Sequence, residues 1–435
     1  MAQPVVSPTI PSTDGRVASR MWHTFSDMNA VQAGPKFVVS EGSGVWLWDD
    51  QGDRYLDGTA SLWYCNVGHG REEIAEAVRT QLLRLDAYTV YGDFANEPAL
   101  ELSERLAGLA PVDDPRVILT CGGGESIETA AKIARQYWSI RGQSDRVHLI
   151  SRTGGYHGLH GIGTSVIGMD RFRNGYGPMV EATSVVPHDS VAALEAEIHR
   201  VGPEKVAAFF AEPVIGAGGV YAPTDGYFRE VAELCRRYGI LFISDSVICG
   251  FGRMGNWFGM ERFGVRPDMI VFAKGVSSGY LPLGGVVVSG EIAEPFWEHP
   301  GHTLLHGTTY AGHPTCCVAA LANLDILERE NLLSGSMQVE QDLDRSLRTL
   351  ESHPAVGEVR SGTGVMGAVE LSAEAQANGV NAAEVFREAR RRGVILRAIP
   401  GTLLASPPLI ITPDQIEHMV ATLRASLDAV TERVA

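Results

Sequence analysis

Two short apolar runs of the 435-residue sequence each end in a group able to do chemistry. Leu241 to Ile243 passes through Ser244 into Asp245, and MIVFAKG delivers Lys274, 29 residues further on. In open α/β sheets, ligands bind in the crevice outside the carboxyl ends of the strands, so the spacing predicts that Asp245 and Lys274 face one site. Either residue alone is more often a salt bridge or a solvated strand end. The segment VILTCGGGESIETAAKIARQYW adds a third feature: a strand, then Gly122, Gly123 and Gly124, then a helix opening with Glu125. Glycines let backbone N–H groups come close to a ligand, and a helix N-terminus carries about half a positive charge, so this turn can hold a phosphate without a lysine. No Lys-Ser/Thr follows it and its glycine spacing is not GxGxxG, which excludes a Walker loop and a dinucleotide fingerprint.

An imine-forming lysine, a carboxylate for a pyridinium N–H and a neutral phosphate cradle are together what pyridoxal 5′-phosphate (PLP) requires. In that chemistry the lysine holds the cofactor as a Schiff base until a substrate amine displaces it, and then moves a proton between substrate and cofactor carbons. The Asp keeps the ring nitrogen protonated, which makes the ring an electron sink.

These groups need a scaffold that brings strand ends together. Val117–Thr120, Val147–Ser151, Val206–Ala211, Leu241–Asp245, Met269–Ala273 and Gly285–Ser289 read as strands. Several are apolar at consecutive positions, as expected of strands covered on both faces, which predicts an α/β fold with a largely parallel sheet. Ahead of them, residues 1–35 read as an arm with an apolar and aromatic patch at Met21 to Phe25. Two alternating runs from Phe37 to Asp57, broken by glycine and aspartate clusters, read as a small β ribbon. Helical spacing begins at Ile74, Val78 and Leu82, and a long helix from Cys316 to about Arg329 leads out of the α/β part. Thr412, Pro413 and Gln415 cap a last helix whose apolar stripe is Ile416, Met419, Val420, Leu423, Leu427 and Val430. The expected division is an arm and ribbon over 1–70, a large α/β domain over 71–328 and a smaller α+β domain over 329–435.

Composition narrows the partners. With 36 Lys plus Arg against 52 Asp plus Glu the net charge is −16, a field that repels nucleic-acid phosphates and anionic lipid. No apolar run reaches the roughly 18–20 residues that span a bilayer. The N-terminal stretch has Pro4, Pro8 and Pro11 and lacks the basic start and apolar core of a signal peptide, so a cytoplasmic protein is expected. The six cysteines form no CxxC pair and read as free, mostly buried thiols, with neither disulfide nor metal site.

The motifs AEPVIGAGGV, DSVICGFGRMG, FAKGVSSGYLPLGGVVVS, HGTTYAGHP and RAIPGTLLASPPLIIT, in that order, are similar to those of the class III, or ω-amino acid:pyruvate, aminotransferases among the fold type I PLP enzymes. The similarity runs from about Gly34 to the C-terminus. It implies the aspartate aminotransferase-like fold, with a mainly parallel seven-stranded-type sheet in a large domain and a smaller α+β domain. Residue by residue, it makes Lys274 the Schiff-base lysine and Asp245 the partner of the ring nitrogen. Gly123 and Gly124 would donate N–H groups to the phosphate, with Tyr156 stacked on one ring face and Val247 on the other. Glu212 would lie near the cofactor, and Thr309 would reach the phosphate held by the neighbouring subunit. An obligate homodimer with shared sites follows, with a tetramer left open. Trp63 and Arg397 match a pocket-lining tryptophan and a mobile arginine that pairs with a substrate carboxylate, a contact suited to a bidentate guanidinium. Tyr88, Tyr91 and Phe94 are candidates for the same wall, and His157 is as readily structural as functional.

The implied reaction takes an amino group from an ω-amino acid or primary amine (β-alanine, 4-aminobutyrate or 6-aminohexanoate in type) and gives it to pyruvate or 2-oxoglutarate. An aminomutase that needs no external oxo acid, and a noncatalytic PLP-fold binding protein, are the alternatives. Three departures stand out. The family's Asn or Ser, Ser-Gly-Ser/Thr and Glu-Ala are here Cys121, Gly122, Gly123, Gly124, Glu125 and Ser126, which removes a phosphate-binding hydroxyl at position 124. Its Asp-Glu pair is Asp245–Ser246. Its Tyr-His-Gly, followed there by x-Thr, is followed here by Leu159 and His160.

Overall fold

The computed structural model describes residues 20–34 and 36–434; the prolines at positions 4, 8 and 11 lie outside them. A ribbon of three strands, β1 (Val39–Ser43), β2 (Trp46–Asp49) and β3 (Arg54–Asp57), opens the chain. The sequence predicted two runs there. The Asp/Gly cluster divides the second run, because Asp49 Oδ1 accepts from the Gln51 and Asp53 N–H groups and closes a second hairpin.

The central sheet contains β4 (Arg116–Thr120), β5 (His148–Arg152), β6 (Thr183–Val186), β7 (Val206–Ala211), β8 (Leu241–Asp245), β9 (Met269–Phe272) and β10 (Gly284–Val288). Their order is β4-β10-β9-β8-β7-β5-β6. β5 to β9 run parallel. β10 is antiparallel to both of its neighbours, so β4 points with the rest. Every residue of β7, β8 and β9 is buried, because helix α1 (Gly123–Ile140) covers one face and α2 (Tyr227–Tyr238) the other. Six of the seven strands match the sequence reading to within a residue or two. The edge strand β6 was not foreseen because it reads Thr-Ser-Val-Val and buries only Val186, so it lacks a continuous apolar run.

The chain leaves this layer through α3 (Pro314–Arg329), which starts two residues before the predicted Cys316 because Pro314 fits the first helical turn. It then forms the antiparallel sheet β11 (Val356–Arg360), β12 (Gly367–Leu371), β15 (Thr402–Ala405) and β14 (Arg397–Ile399). Before β14, the short β13 (Val394–Ile395) pairs in parallel with β3, joining the opening ribbon to the C-terminal part. The last helix, α4 (Pro413–Val434), has the expected capping box, with Thr412 N–H donating to Gln415 Oε1 at 2.9 Å, and its whole predicted stripe is buried.

The stripe from Ile74 does not extend as far as its spacing suggested: Ile74 is buried, but Leu82 and Leu83 at the end of helix Glu72–Arg84 are 50% and 77% exposed. Among the described residues no helix is long and apolar enough to cross a membrane, and no group of three His, Cys, Asp or Glu side chains could hold a metal ion. All six cysteines are free thiols, four of them buried.

Candidate active site

Parallel pairing brings three chemical groups to neighbouring strand ends. Glu212 follows β7, Asp245 ends β8, and Lys274 follows β9 after Ala273, with Ala211 opposite Ser244 and Asp245 opposite Val271. Asp245 is 3% exposed. Its Oδ2 accepts from His157 Nδ1 at 2.8 Å, and its Oδ1 accepts from the Val247 N–H at 3.1 Å. His157 is thereby assigned to Asp245; its other ring nitrogen is buried with no partner among the described residues. Glu212 accepts from the Tyr156 N–H at 2.9 Å and the Gly216 N–H at 3.0 Å. Burial, reinforced by the charge of Asp245, raises its pKa above the usual carboxylate range.

Lys274 stands on a strained turn. Its φ of 49° is left-handed, a conformation that costs a side-chain-bearing residue about 1–3 kcal/mol. The turn is held from α3, where buried Asn323 donates from Nδ2 to the Gly275 and Val276 carbonyls, each at 2.9 Å. Space beside it is closed: a Cβ on Gly275 would lie 2.6 Å from Asn66 Nδ2. Burial lowers the Lys274 pKa from the ordinary lysine value, against the opposing pull of Asp245 and Glu212 and with a small addition from Arg397. Asn323→Ala is expected to leave two buried carbonyls without their donor and to lower the unfolding free energy by about 1–3 kcal/mol, measured by denaturant titration of the apoprotein.

The opposite end of the site is the first turn of α1. The N–H groups of Gly123, Gly124 and Glu125 begin the helix and have no intrahelical acceptor. Gly123 lies against Val247: a Cβ there would be 3.0 Å from both Val247 methyls. Since the Val247 N–H is bonded to Asp245, the anion-binding turn is fixed relative to the carboxylate. These groups fit PLP. A bare helix turn can take its phosphate, Asp245 its ring nitrogen, and the Lys274 amine, which makes no hydrogen bond or ion pair among the described residues, its aldehyde carbon.

Tyr156 and Arg397 border the same space. The guanidinium of Arg397 and the charge of Asp245 both act on the Tyr156 hydroxyl, whose pKa burial raises. Burial lowers the Arg397 pKa as well. The Tyr156 ring meets Phe172 edge-on at 5.8 Å, and Phe172 meets Phe25 of the N-terminal arm at 5.9 Å. Trp63 is 2% exposed and packed among residues that include Val214, Ile248, Met254 and Leu404. Thr309 is exposed, and its neighbour Thr308 has Oγ1 at 3.6 Å from Cys121 Sγ, beside the phosphate turn. Tyr88, Tyr91 and Phe94 are 53%, 50% and 53% exposed. Sequence reasoning left His157 undecided and did not reach Asn323 or Phe172. The position of His157 beside Tyr156 was its one signal; Asn323 lies 49 residues from Lys274 in a helix with nothing local to mark it.

The family described as aminotransferase class-III matches residues 28–427. A putrescine–pyruvate aminotransferase of Pseudomonas aeruginosa is 37% identical over 427 residues, 93% of each chain. A solved (S)-enantioselective omega-transaminase from Thermomicrobium roseum superposes with a TM-score of 0.91 at 40% identity, covering 94% of this chain and 96% of the other. A solved amine transaminase from an uncultivated Pseudomonas species, in its PLP-bound form, superposes with a TM-score of 0.89 at 34% identity, covering 97% of this chain and 100% of the other. With a family match over residues 28–427 and relatives of 37–40% identity covered across more than nine-tenths of their length, on the same mostly parallel sheet, the chain belongs to the class-III aminotransferases.

Proposed function

We propose that the protein is a PLP-dependent ω-aminotransferase that takes an amino group from a primary amine or ω-amino acid and passes it to a 2-oxo acid by ping-pong turnover. The observation that carries the reading is the placing of Lys274 and Asp245 on adjacent parallel strand ends, next to the open first turn of α1. The relatives named above act on amines, and one uses pyruvate, which favours transfer over isomerisation within one carbon skeleton.

When bound, PLP supplies an electron sink that lets a substrate C–H proton leave. Lys274 would hold it and would serve as the base that carries that proton; its lowered pKa leaves more of the amine uncharged and able to accept one. Asp245, aimed by His157, holds the proton on the ring nitrogen. Glu212 fixes the backbone of Tyr156, whose ring, with Val247, would help hold the cofactor ring. Gly123 and Gly124 donate N–H groups to the phosphate. Arg397 receives a substrate carboxylate, with Trp63 as the wall behind it.

In this reading residues 71–328 form the cofactor-binding unit, and the β ribbon of the 1–70 segment joins the C-terminal 329–435 unit through the β3–β13 pairing. The functional unit is a cytoplasmic homodimer in which Thr309 serves the neighbouring site. Exposed Tyr88, Tyr91, Phe94, Leu305 and Tyr310 supply apolar surface for that contact, and six free thiols suit a reducing compartment.

The test is a donor panel of putrescine, β-alanine, 4-aminobutyrate, 6-aminohexanoate and an arylalkylamine against pyruvate and 2-oxoglutarate. Amino transfer that needs an added oxo acid is expected; turnover without one points to an isomerase, and none at all overturns the enzymatic reading. Arg397→Ala is expected to reduce kcat/KM for carboxylated donors roughly 10- to 100-fold while changing arylalkylamines less than about threefold.

A further inference from the structure

We infer that His160 is a phosphate-binding residue of the cofactor site, its imidazole N–H donating to the phosphate of PLP at the place left open by Gly124. The inference rests on the PLP reading above and adds a ligand at the position where the class III motif has threonine. At the first turn of α1, position 124 has no side chain, and the His160 ring fills the gap: a Cβ built on Gly124 would lie 3.0 Å from His160 Nδ1 and 3.1 Å from Cε1.

Two contacts fix the loop that carries this ring. Gly158, at φ +79°, approaches so closely that a Cβ on it would be 2.7 Å from the Gly124 Cα. Two and three residues after His160, the Ile162 and Gly163 N–H groups donate to Glu128 Oε1 of α1, at 2.6 and 2.9 Å. The backbone is therefore tied to α1 on both sides of His160. The ring is exposed and makes no hydrogen bond among the described residues.

In the Nδ1–H tautomer or as imidazolium the ring presents an N–H donor on the side of position 124, and a phosphate dianion beside three free helix N–H groups is a strong acceptor. The same sequence that lacks a hydroxyl at position 124 has a histidine at 160, and the two departures meet in space. A side chain at 124 would press on the present ring position, since a Cβ 3.0 Å from Nδ1 requires the His160 ring to move by a few tenths of an ångström.

The test compares PLP and pyridoxal, which lacks the phosphate, by equilibrium binding to apoprotein for wild type, His160→Ala, His160→Gln, Gly124→Ser and the double variant Gly124→Ser/His160→Ala. His160→Ala is expected to weaken PLP binding roughly 10- to 100-fold and pyridoxal less than about twofold. His160→Gln, which keeps a donor on a side chain of similar reach, should retain most of the affinity. Gly124→Ser alone should weaken PLP by displacing the ring. The double variant should bind PLP more tightly than His160→Ala, because the new hydroxyl then reaches the phosphate. Wild-type PLP affinity in both His160 variants overturns the inference, as do equal losses for PLP and pyridoxal, or a double variant no tighter than His160→Ala. Those outcomes leave the aminotransferase reading intact; a wild-type apoprotein that takes up no PLP overturns both.

Discussion

Lys274→Ala is expected to give a folded protein that binds PLP without a covalent link and turns over at least about 10²–10⁴-fold more slowly, the share of rate that a positioned proton carrier supplies. The variant should fold, because it removes a half-buried lysine whose amine has no hydrogen-bond partner among the described residues and leaves a smaller residue on the same left-handed turn. Borohydride reduction followed by intact mass measurement checks the link: wild type should gain the mass of reduced cofactor on Lys274 and the variant none. Added methylamine should restore part of the rate by supplying the missing base from solution. A variant that kept wild-type turnover would remove Lys274 from the chemistry.

Asp245→Asn keeps the shape of the side chain and the bond from the Val247 N–H, but removes the charge proposed to face the ring nitrogen. An opposite charge at contact distance changes a pKa by about one to three units, so the protonated fraction of the ring nitrogen, and with it the rate, should fall roughly 10- to 10³-fold near neutral pH. The sign of the pH dependence follows. A ring nitrogen whose pKa has dropped is protonated again as pH falls, so the defect should narrow at acid pH and widen at alkaline pH. His157, which donates to Asp245 Oδ2, should then face an amide and lose its charge-assisted bond. A pH-rate profile parallel to that of wild type would place the carboxylate outside the ring-nitrogen contact.

Much of this site could be read from the chain because each essential group follows a run of apolar residues. LFISD and MIVFAKG signal strands by composition, and a strand end is where an α/β sheet presents its chemistry. The glycines after β4 were legible for the same reason. What could not be read is what depends on contacts across large sequence separations. The bond from His157 to Asp245 spans 88 residues, and that from Asn66 to Phe251 spans 185. Strand β6 escaped because its edge position asks little of its side chains, and the end of the Glu72–Arg84 helix was misread because apolar periodicity does not say whether a face is covered by the same chain. The replacements at 124 and 160 could each be seen as departures. Their proximity could not, since it depends on the close approach of Gly158 to the first turn of α1.

The two-residue parallel pairing of β13 with β3 bears on how this enzyme could be re-engineered. Val394 and Ile395 pair with Leu56 and Asp57, and the Gly58 N–H donates to the Ile395 carbonyl at 2.9 Å. Arg397 lies two residues beyond one strand and Trp63 six beyond the other, so the two residues proposed to line the substrate pocket hang from the same short ladder. Combinatorial libraries that vary positions 63 and 397 together should therefore find specificities that one-at-a-time scanning misses, because residues sharing a support combine non-additively.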